Sequence, residues 1–174
     1  MSVIRTQRLL LRAFELADAE PFAALASDRA IADTMISIPH PLTDDFVAAW
    51  VASGVPTRWA VCETVSGHLL GAVELRDIDP EHRQAELSFW VGRPFWGRGY
   101  ASEAGAVVVH HAFGTLGLNR VYALHMARNP ASGRVLAKLG MQKEGVLRQR
   151  IRKWGRFEDV HVWAVLRSDL AESG

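Results

Sequence analysis

What this sequence has little of narrows its class. Its 174 residues include one cysteine, Cys62. No internal disulfide is available, and a lone thiol suits a reducing compartment, so a cytoplasmic location is expected. No apolar run approaches the ~20 residues that cross a bilayer. The opening Met1-Ser2-Val3-Ile4-Arg5 lacks the apolar core of a secretory signal. No membrane role is therefore expected. Neither sign of charge is in excess: 20 lysines and arginines face 19 aspartates and glutamates, for a formal net charge of +1. That balance gives no sign of a nucleic-acid partner. The adjacent His110 and His111 diverge by one helical step and make a poor ligand pair, so no metal is expected. No repeat, linker or low-complexity tract divides the chain, and residues 1–174 are expected to form one domain. Apolar residues are plentiful, at 49% with six tryptophans, enough for a sizeable core.

Periodicity lays out alternating elements. Leu9-Leu10-Leu11 between Arg8 and Arg12 predicts a first strand. Phe22, Leu25 and Ala26 repeat at helical spacing over Asp18 to Ser27. Asp28 to Leu42 reads as irregular, broken by Pro39 and Pro41. Thr43 is a good N-cap for a helix through Val51. Trp59 to Cys62 and Leu69 to Val73 flank Ser66-Gly67-His68, a hairpin signal. Ala85 to Val91 is a strand, Ala101 to Leu116 a long helix, and Val121 to Met126 another strand. Ser132 is expected to cap a short helix ending at Leu139, with Gly140 as its stop. Val146 to Ile151 and Val160 to Leu166 close the series. The pattern predicts an α/β fold with a mixed central sheet of about seven strands and flanking helices.

The densest chemical signal is Arg93-Pro94-Phe95-Trp96-Gly97-Arg98-Gly99-Tyr100-Ala101, between a predicted strand and a predicted helix. Two glycines one residue apart let the backbone approach a ligand closely. The first N–H groups of the helix lack partners within it, and its dipole is positive there. Such a junction can seat an anion, phosphate above all. A tight turn explains a lone Gly-x-Gly equally well. No Gly-Lys-Ser/Thr follows, and the third glycine of a dinucleotide fingerprint is missing.

Read with its neighbours, the junction resembles the GNAT superfamily of acyl-CoA-dependent N-acetyltransferases, in its RimJ/RimL-like branch. The resemblance covers nearly the whole chain. It is carried by Thr6-Gln7-Arg8-Leu9-Leu10-Leu11-Arg12, by Ala85 to Gly92, by Pro94 to Ala104, by Gly117-Leu118-Asn119-Arg120-Val121, and by Asn129-Pro130-Ala131-Ser132 through Met141. It implies acetyl-CoA as co-substrate and a primary amine as acceptor, a protein N-terminus or a small molecule, with a homodimer open. It implies that the backbone of Trp96, Gly97, Arg98, Gly99, Tyr100, Ala101 and Ser102 holds the CoA pyrophosphate. Phe89, Trp90 and Val91 would meet the pantetheine arm along a strand edge, where two family strands splay apart. Asn129 would contact the pantetheine or the nearby backbone.

Two departures stand out. Pro94 begins the loop where many members carry Gln or Arg. Leu136 occupies the position at which many members place a tyrosine that protonates the leaving thiolate. Ser132 is the nearby hydroxyl that can replace it, or it is a helix cap alone. The amine needs a base, and Glu86 matches a family base position. A carboxylate inside an apolar strand is unusual, and burial favours proton uptake. Alternatively, Glu86 faces solvent or pairs with Arg83 or Arg120; Glu74 and Asp77 are the runners-up as base. The missing tyrosine leaves a second class open, a module that binds acyl-CoA without turnover. Cys62 reads as a small core residue and Trp163 as core, while Trp50 and Trp59 line an acceptor pocket or simply pack. The basic run from Arg148 to Arg156 reads as a solvated hairpin or a surface for an acidic acceptor.

Overall fold

The short apolar runs become strands, and the longer-period patterns become helices. The computed structural model describes residues 2–171, of Ala171 the backbone alone. In chain order these are β1 (Ile4–Arg5), β2 (Leu9–Arg12), α1 (Ala19–Ala26), α2 (Arg29–Thr34), α3 (Asp44–Ala52), β3 (Arg58–Glu63), β4 (Leu69–Asp79) and β5 (Gln84–Val91). Then follow α4 (Tyr100–Gly114), β6 (Arg120–Met126), α5 (Pro130–Lys138), β7 (Gln142–Lys153), β8 (Arg156–Leu166) and α6 (Arg167–Ala171). The strands form one sheet in the order β1-β2-β3-β4-β5-β6-β8-β7. β5 and β6 run parallel, while β1–β2, β2–β3, β3–β4, β6–β8 and β7–β8 run antiparallel.

The sheet thus has eight strands where about seven were expected. The addition is β1, two residues long and too short to show a period. Asp28–Leu42 is not wholly irregular: the Asp28 side chain accepts a hydrogen bond from the Ala30 N–H and starts α2. Thr43 caps α3 as expected, accepting from the Phe46 N–H. The cap of α5 lies three residues before the expected Ser132. Asn129 is the N-cap, accepting from the Ser132 N–H, and Pro130 takes the first turn, where its missing N–H costs nothing.

The contacts divide the chain into two compact units. One comprises the chain up to Glu74 together with Phe89–Ala104; the other comprises Leu75–Ser88 and the chain from Gly105 onward. The first unit has its own apolar cluster, in which Phe22, Ile31, Ile38, Val47, Trp50, Cys62 and Trp90 are buried. Phe22 is central: its ring centroid lies 5.6 Å from that of Trp50 and 5.4 Å from that of Trp90. Burial pushes the Cys62 thiol up to about 11, so it is an inert core group rather than a nucleophile. Trp59 packs fully buried and donates its indole N–H to the Ser2 carbonyl at 2.9 Å. In the second unit Leu87, Val108, Phe113, Val121, Leu136 and Val165 are buried. Of the three successive valines of α4, Val108 and Val109 are buried and Val107 is half-buried.

Candidate active site

The chemistry-bearing residues fall in both units, and each set is built differently. In the first unit, the chain leaves β5 at Val91, makes a 3-10 turn at Arg93–Phe95 and enters α4 at Tyr100. Gly97 and Gly99 have φ of +76° and +83°. A side chain is strained at either position, which is why the sequence spends glycine there. A Cβ on Gly97 would meet nothing within 4 Å, and one on Gly99 only the Arg8 guanidinium at 3.5 Å. The loop therefore keeps open space above backbone N–H groups and the positive end of a 15-residue helix, which suits a pyrophosphate.

Side chains pin the loop. The Trp96 indole N–H donates to the Val91 carbonyl at 2.6 Å, so that carbonyl is already engaged. Arg8 donates to the Arg98 carbonyl at 3.0 Å and to Glu103 at 2.7 Å, and it lies over the Tyr100 ring, 4.8 Å from the centroid. Thr6 also donates to Glu103, at 2.5 Å. Burial pushes the Glu103 carboxyl up, but the Thr6 and Arg8 bonds overcome it, and the net shift is downward. Trp90 turns its side chain into the core. Its indole N–H is buried without an acceptor among the described residues. The backbone of β5 is also set by Gly71 on β4. A Cβ there would collide with the Trp90 carbonyl oxygen and stand 2.8 Å from the Val91 Cα. No side chain but hydrogen fits, and nothing in the local sequence signals that approach.

In the second unit, Glu86 on β5 is 5% exposed, and its Oε1 lies 2.5 Å from Arg76 Nη2. The partner is thus Arg76 on β4. Arg83 instead donates to the Gly117 carbonyl, and Arg120 pairs with Glu144 at 2.5 Å. Across the parallel ladder Glu86 stands beside Tyr122. Burial pushes that phenol above its ordinary value, and the charges of Glu86 and Asp77 add to the shift, so Tyr122 stays protonated at neutral pH. The ladder between β5 and β6 comprises three pairs, from Gln84–Arg120 to Glu86–Tyr122. Of the alternative bases, Glu74 is buried but paired with Arg58 at 2.6 Å, and Asp77 is exposed with φ of +51°.

Asn129 and Ser132 form one hydrogen-bonded pair. The Asn129 Nδ2 donates to Ser132 Oγ at 2.8 Å, and its Oδ1 accepts from the Ser132 N–H at 3.3 Å. The amide orients the hydroxyl so that Ser132 accepts from Asn129 and keeps its own proton to donate. Leu136, in place of the family tyrosine, is 1% exposed and belongs to the core. Beneath α5 lies His125, which the sequence reading passed over. It is 6% exposed, and its Nε2 accepts from the Trp163 indole N–H at 3.0 Å. Trp163, expected as core, is half-buried. Among the described residues no group of three His, Cys, Asp or Glu side chains stands close enough to hold a metal ion, and no helix is long and apolar enough to cross a membrane.

Two glycines at positive φ thus precede a long helix, in a mixed sheet in which β5 and β6 run parallel. The acetyltransferase (GNAT) domain family matches residues 8–142, and the chain belongs to that family. It is an acyl-CoA-dependent N-acetyltransferase. The uncharacterized N-acetyltransferase YoaA of Bacillus subtilis (strain 168) is 32% identical over 173 residues, 95% of this chain and 97% of that one. Spermidine N-acetyltransferase from Vibrio cholerae, solved in complex with CoA and spermine, superposes with a TM-score of 0.84 at 25% identity, over 95% of this chain and 99% of that one. The ribosomal-protein-serine acetyltransferase of Escherichia coli (strain K12) is 28% identical over 96 residues, 55% of this chain and 54% of that one.

Proposed function

We propose that this chain, acting in the cytoplasm, moves an acetyl group from acetyl-CoA to the primary amine at a polypeptide N-terminus, as a member of the RimJ/RimL-like branch. The observation that carries the cofactor half of this reading is the Gly97–Gly99 loop, with both glycines at positive φ and open space above them. Backbone N–H groups from Trp96 to Ser102 hold the pyrophosphate. The backbone of Phe89 and Trp90 aligns the pantetheine. Likeness to the ribosomal-protein-serine enzyme supports a protein acceptor.

In the transfer, the amine nitrogen forms a bond to the thioester carbonyl carbon and the C–S bond breaks. Glu86 takes the proton that the amine must lose. The thiolate takes a proton from water, directly or relayed through the Ser132 hydroxyl, which Asn129 orients and which regains its proton from that water as it gives one up. Asn129 thus acts through Ser132 as much as on the pantetheine. Likeness to the spermidine enzyme favours a second acceptor class, a polyamine. The test is release of free CoA thiol from acetyl-CoA with a panel of peptides bearing free N-termini and of polyamines. The protein-acceptor reading expects the higher kcat/KM on peptides. Turnover on polyamines alone replaces it, and no turnover on any amine removes both.

A further inference from the structure

The second unit carries a charged feature that acetyl transfer does not use. Between Glu144 and Glu158 there is no acidic residue, while Arg148, Arg150, Arg152, Lys153 and Arg156 are all basic. The rest of the chain is the opposite, with fifteen basic against nineteen acidic residues. The β6–β8 ladder ends at the Met126–Val160 pair, so the tip of the β7–β8 hairpin continues past it as a two-stranded arm. The turn at Trp154 and Gly155 has both residues at positive φ, the two-residue hairpin geometry that matches strand twist. Arg148, Arg150, Arg152 and Arg156 are exposed, and no carboxylate among the described residues pairs with Arg148, Arg150 or Arg156. Lys153 and Arg156 stand directly opposite each other, a like-charge pair that weakens a hairpin. Phe157 is 64% exposed beside them. An arm that only kept the sheet edge soluble would not need same-sign charges facing each other.

The root of the arm is tied to the turn that carries Asn129 and Ser132. Arg128 pairs with Glu158 at 2.9 Å, the Ala127 N–H donates to the Asp159 carbonyl at 2.9 Å, and the Gln149 N–H donates to Asp159 Oδ1 at 2.8 Å. The two acids nearest the arm are therefore engaged at its root, and Arg148, Arg150 and Arg156 are exposed without a carboxylate partner among the described residues. β7 is the last strand in the sheet order and presents an edge to an extended chain.

We propose that the Arg148–Phe157 arm docks an acidic, extended stretch of the polypeptide whose amine is acetylated. This rests on the polypeptide-acceptor reading and names its substrate class: an N-terminus followed by acidic sequence. The acidic remainder of the chain repels a long polyanion but not a short acidic stretch held on the arm, which is why a peptide rather than a nucleic acid is the fitting partner. A polyamine would be repelled by the same arm.

The test uses two peptides of equal length with a free N-terminus and the same first residues, one with Asp and Glu downstream and one with Asn and Gln there. Thiol release and direct calorimetric binding without acetyl-CoA are both measured, on the wild-type chain and on the variant Arg148→Ser/Arg150→Ser/Arg152→Ser/Arg156→Ser. The wild type should favour the acidic peptide about tenfold in KM, from several weak exposed pairs together, and the preference should fade with added salt. The variant should lose the preference while keeping kcat and the KM of the neutral peptide. The single variant Arg150→Glu should move the same way and carries the test if the quadruple variant fails to fold. Arm-dependent binding of the acidic peptide without turnover on any peptide keeps the docking surface and removes the polypeptide-acceptor reading. Equal use and equal binding of the two peptides overturn the proposal. So does a single-stranded RNA that displaces the acidic peptide and binds more tightly, or a self-association that the variant abolishes.

Discussion

The two sets of site residues solve different problems with different materials. The glycine loop of the first unit is built from backbone: N–H groups, a helix end and two residues at positive φ. The Glu86, Asn129 and Ser132 set of the second unit is built from side chains, each defined by its partner: Arg76 for Glu86, and Asn129 for Ser132. An anion that is always charged needs only a fixed, dry, donor-lined seat, and backbone supplies that at low cost in side-chain entropy. A proton that must move at neutral pH needs groups whose charge is tuned, and only side chains titrate. Backbone function is therefore robust to most substitutions but intolerant at its glycines. Side-chain function should fail at single atoms.

The sharpest way to break this contrast is Glu86→Gln, which keeps shape and removes the proposed base. Turnover should fall about 10²-fold or more while CoA affinity stays at wild type, and the loss should shrink at high pH, where more of the amine is already neutral. A pH–rate profile parallel to wild type, with little loss, would move the base to another group. The next largest effect belongs to Gly99→Val. Its branched side chain is strained at φ of +83° and intrudes on the loop. CoA affinity should fall about tenfold or more, read by calorimetry. Unchanged affinity in a folded variant would remove the anion seat.

The same contrast explains what was legible in the sequence. Gly97 and Gly99 announce themselves because backbone conformation is a local property. So do Thr43 and the strands from β2 through β8, whose periods lie within single segments. Ser132 is the expected cap of α5, and Asn129 provides it instead, because cap geometry depends on a turn no period reveals. From sequence, Glu86 faces solvent or pairs with Arg83 or Arg120, which are near in sequence or motif. Arg76 reaches it only because β4 runs on to Asp79, six residues past its predicted end. Gly71 was invisible, since its constraint is the Trp90 backbone nineteen residues away. Glu103 did carry a signal that could have been used: an acid in the first turn of a helix proposed to bind an anion demands a cation beside it, and Arg8 is that cation.

Arg8 tests whether the backbone loop is self-sufficient. Arg8→Leu removes the side-chain donors to the Arg98 carbonyl and to Glu103, leaving a carboxylate without its cation near the proposed phosphate seat. CoA affinity should fall about three- to tenfold, less than for Gly99→Val, because the N–H groups themselves remain. The double variant Arg8→Leu/Glu103→Gln should recover part of the loss. Equal affinity for wild type and Arg8→Leu would show that the loop holds its own shape.

The smallest effect concerns His125. Its Nε2 accepts from Trp163, so its proton sits on Nδ1 and is donated to the Met126 carbonyl at 2.8 Å. The neutral ring is fully used, and protonation would set an N–H against the Trp163 N–H. Burial pushes the His125 pKa down. The Met126 carbonyl pushes it back up, but His161 and Lys143 push it down again, and the net shift is downward. The unfolded chain takes up this proton as pH drops through about 6.5, whereas the folded chain resists until its lower value. Stability from this group is therefore fully present above about 6.5 and is lost as pH falls from there toward the folded value. His111 and His161 are shifted the same way, so the wild-type slope has several sources. The difference between wild type and His125→Phe isolates one of them. At pH 8 the variant should be less stable by about 1–3 kcal/mol, because the Trp163 N–H loses its acceptor. That gap should narrow as pH is lowered below about 6.5, since the variant no longer has this proton to take up. Thermal midpoints that run parallel for the two chains from pH 8 to pH 5 would show that His125 titrates alike folded and unfolded, and that α5, whose Gly133 lies against the ring, is insensitive to its charge.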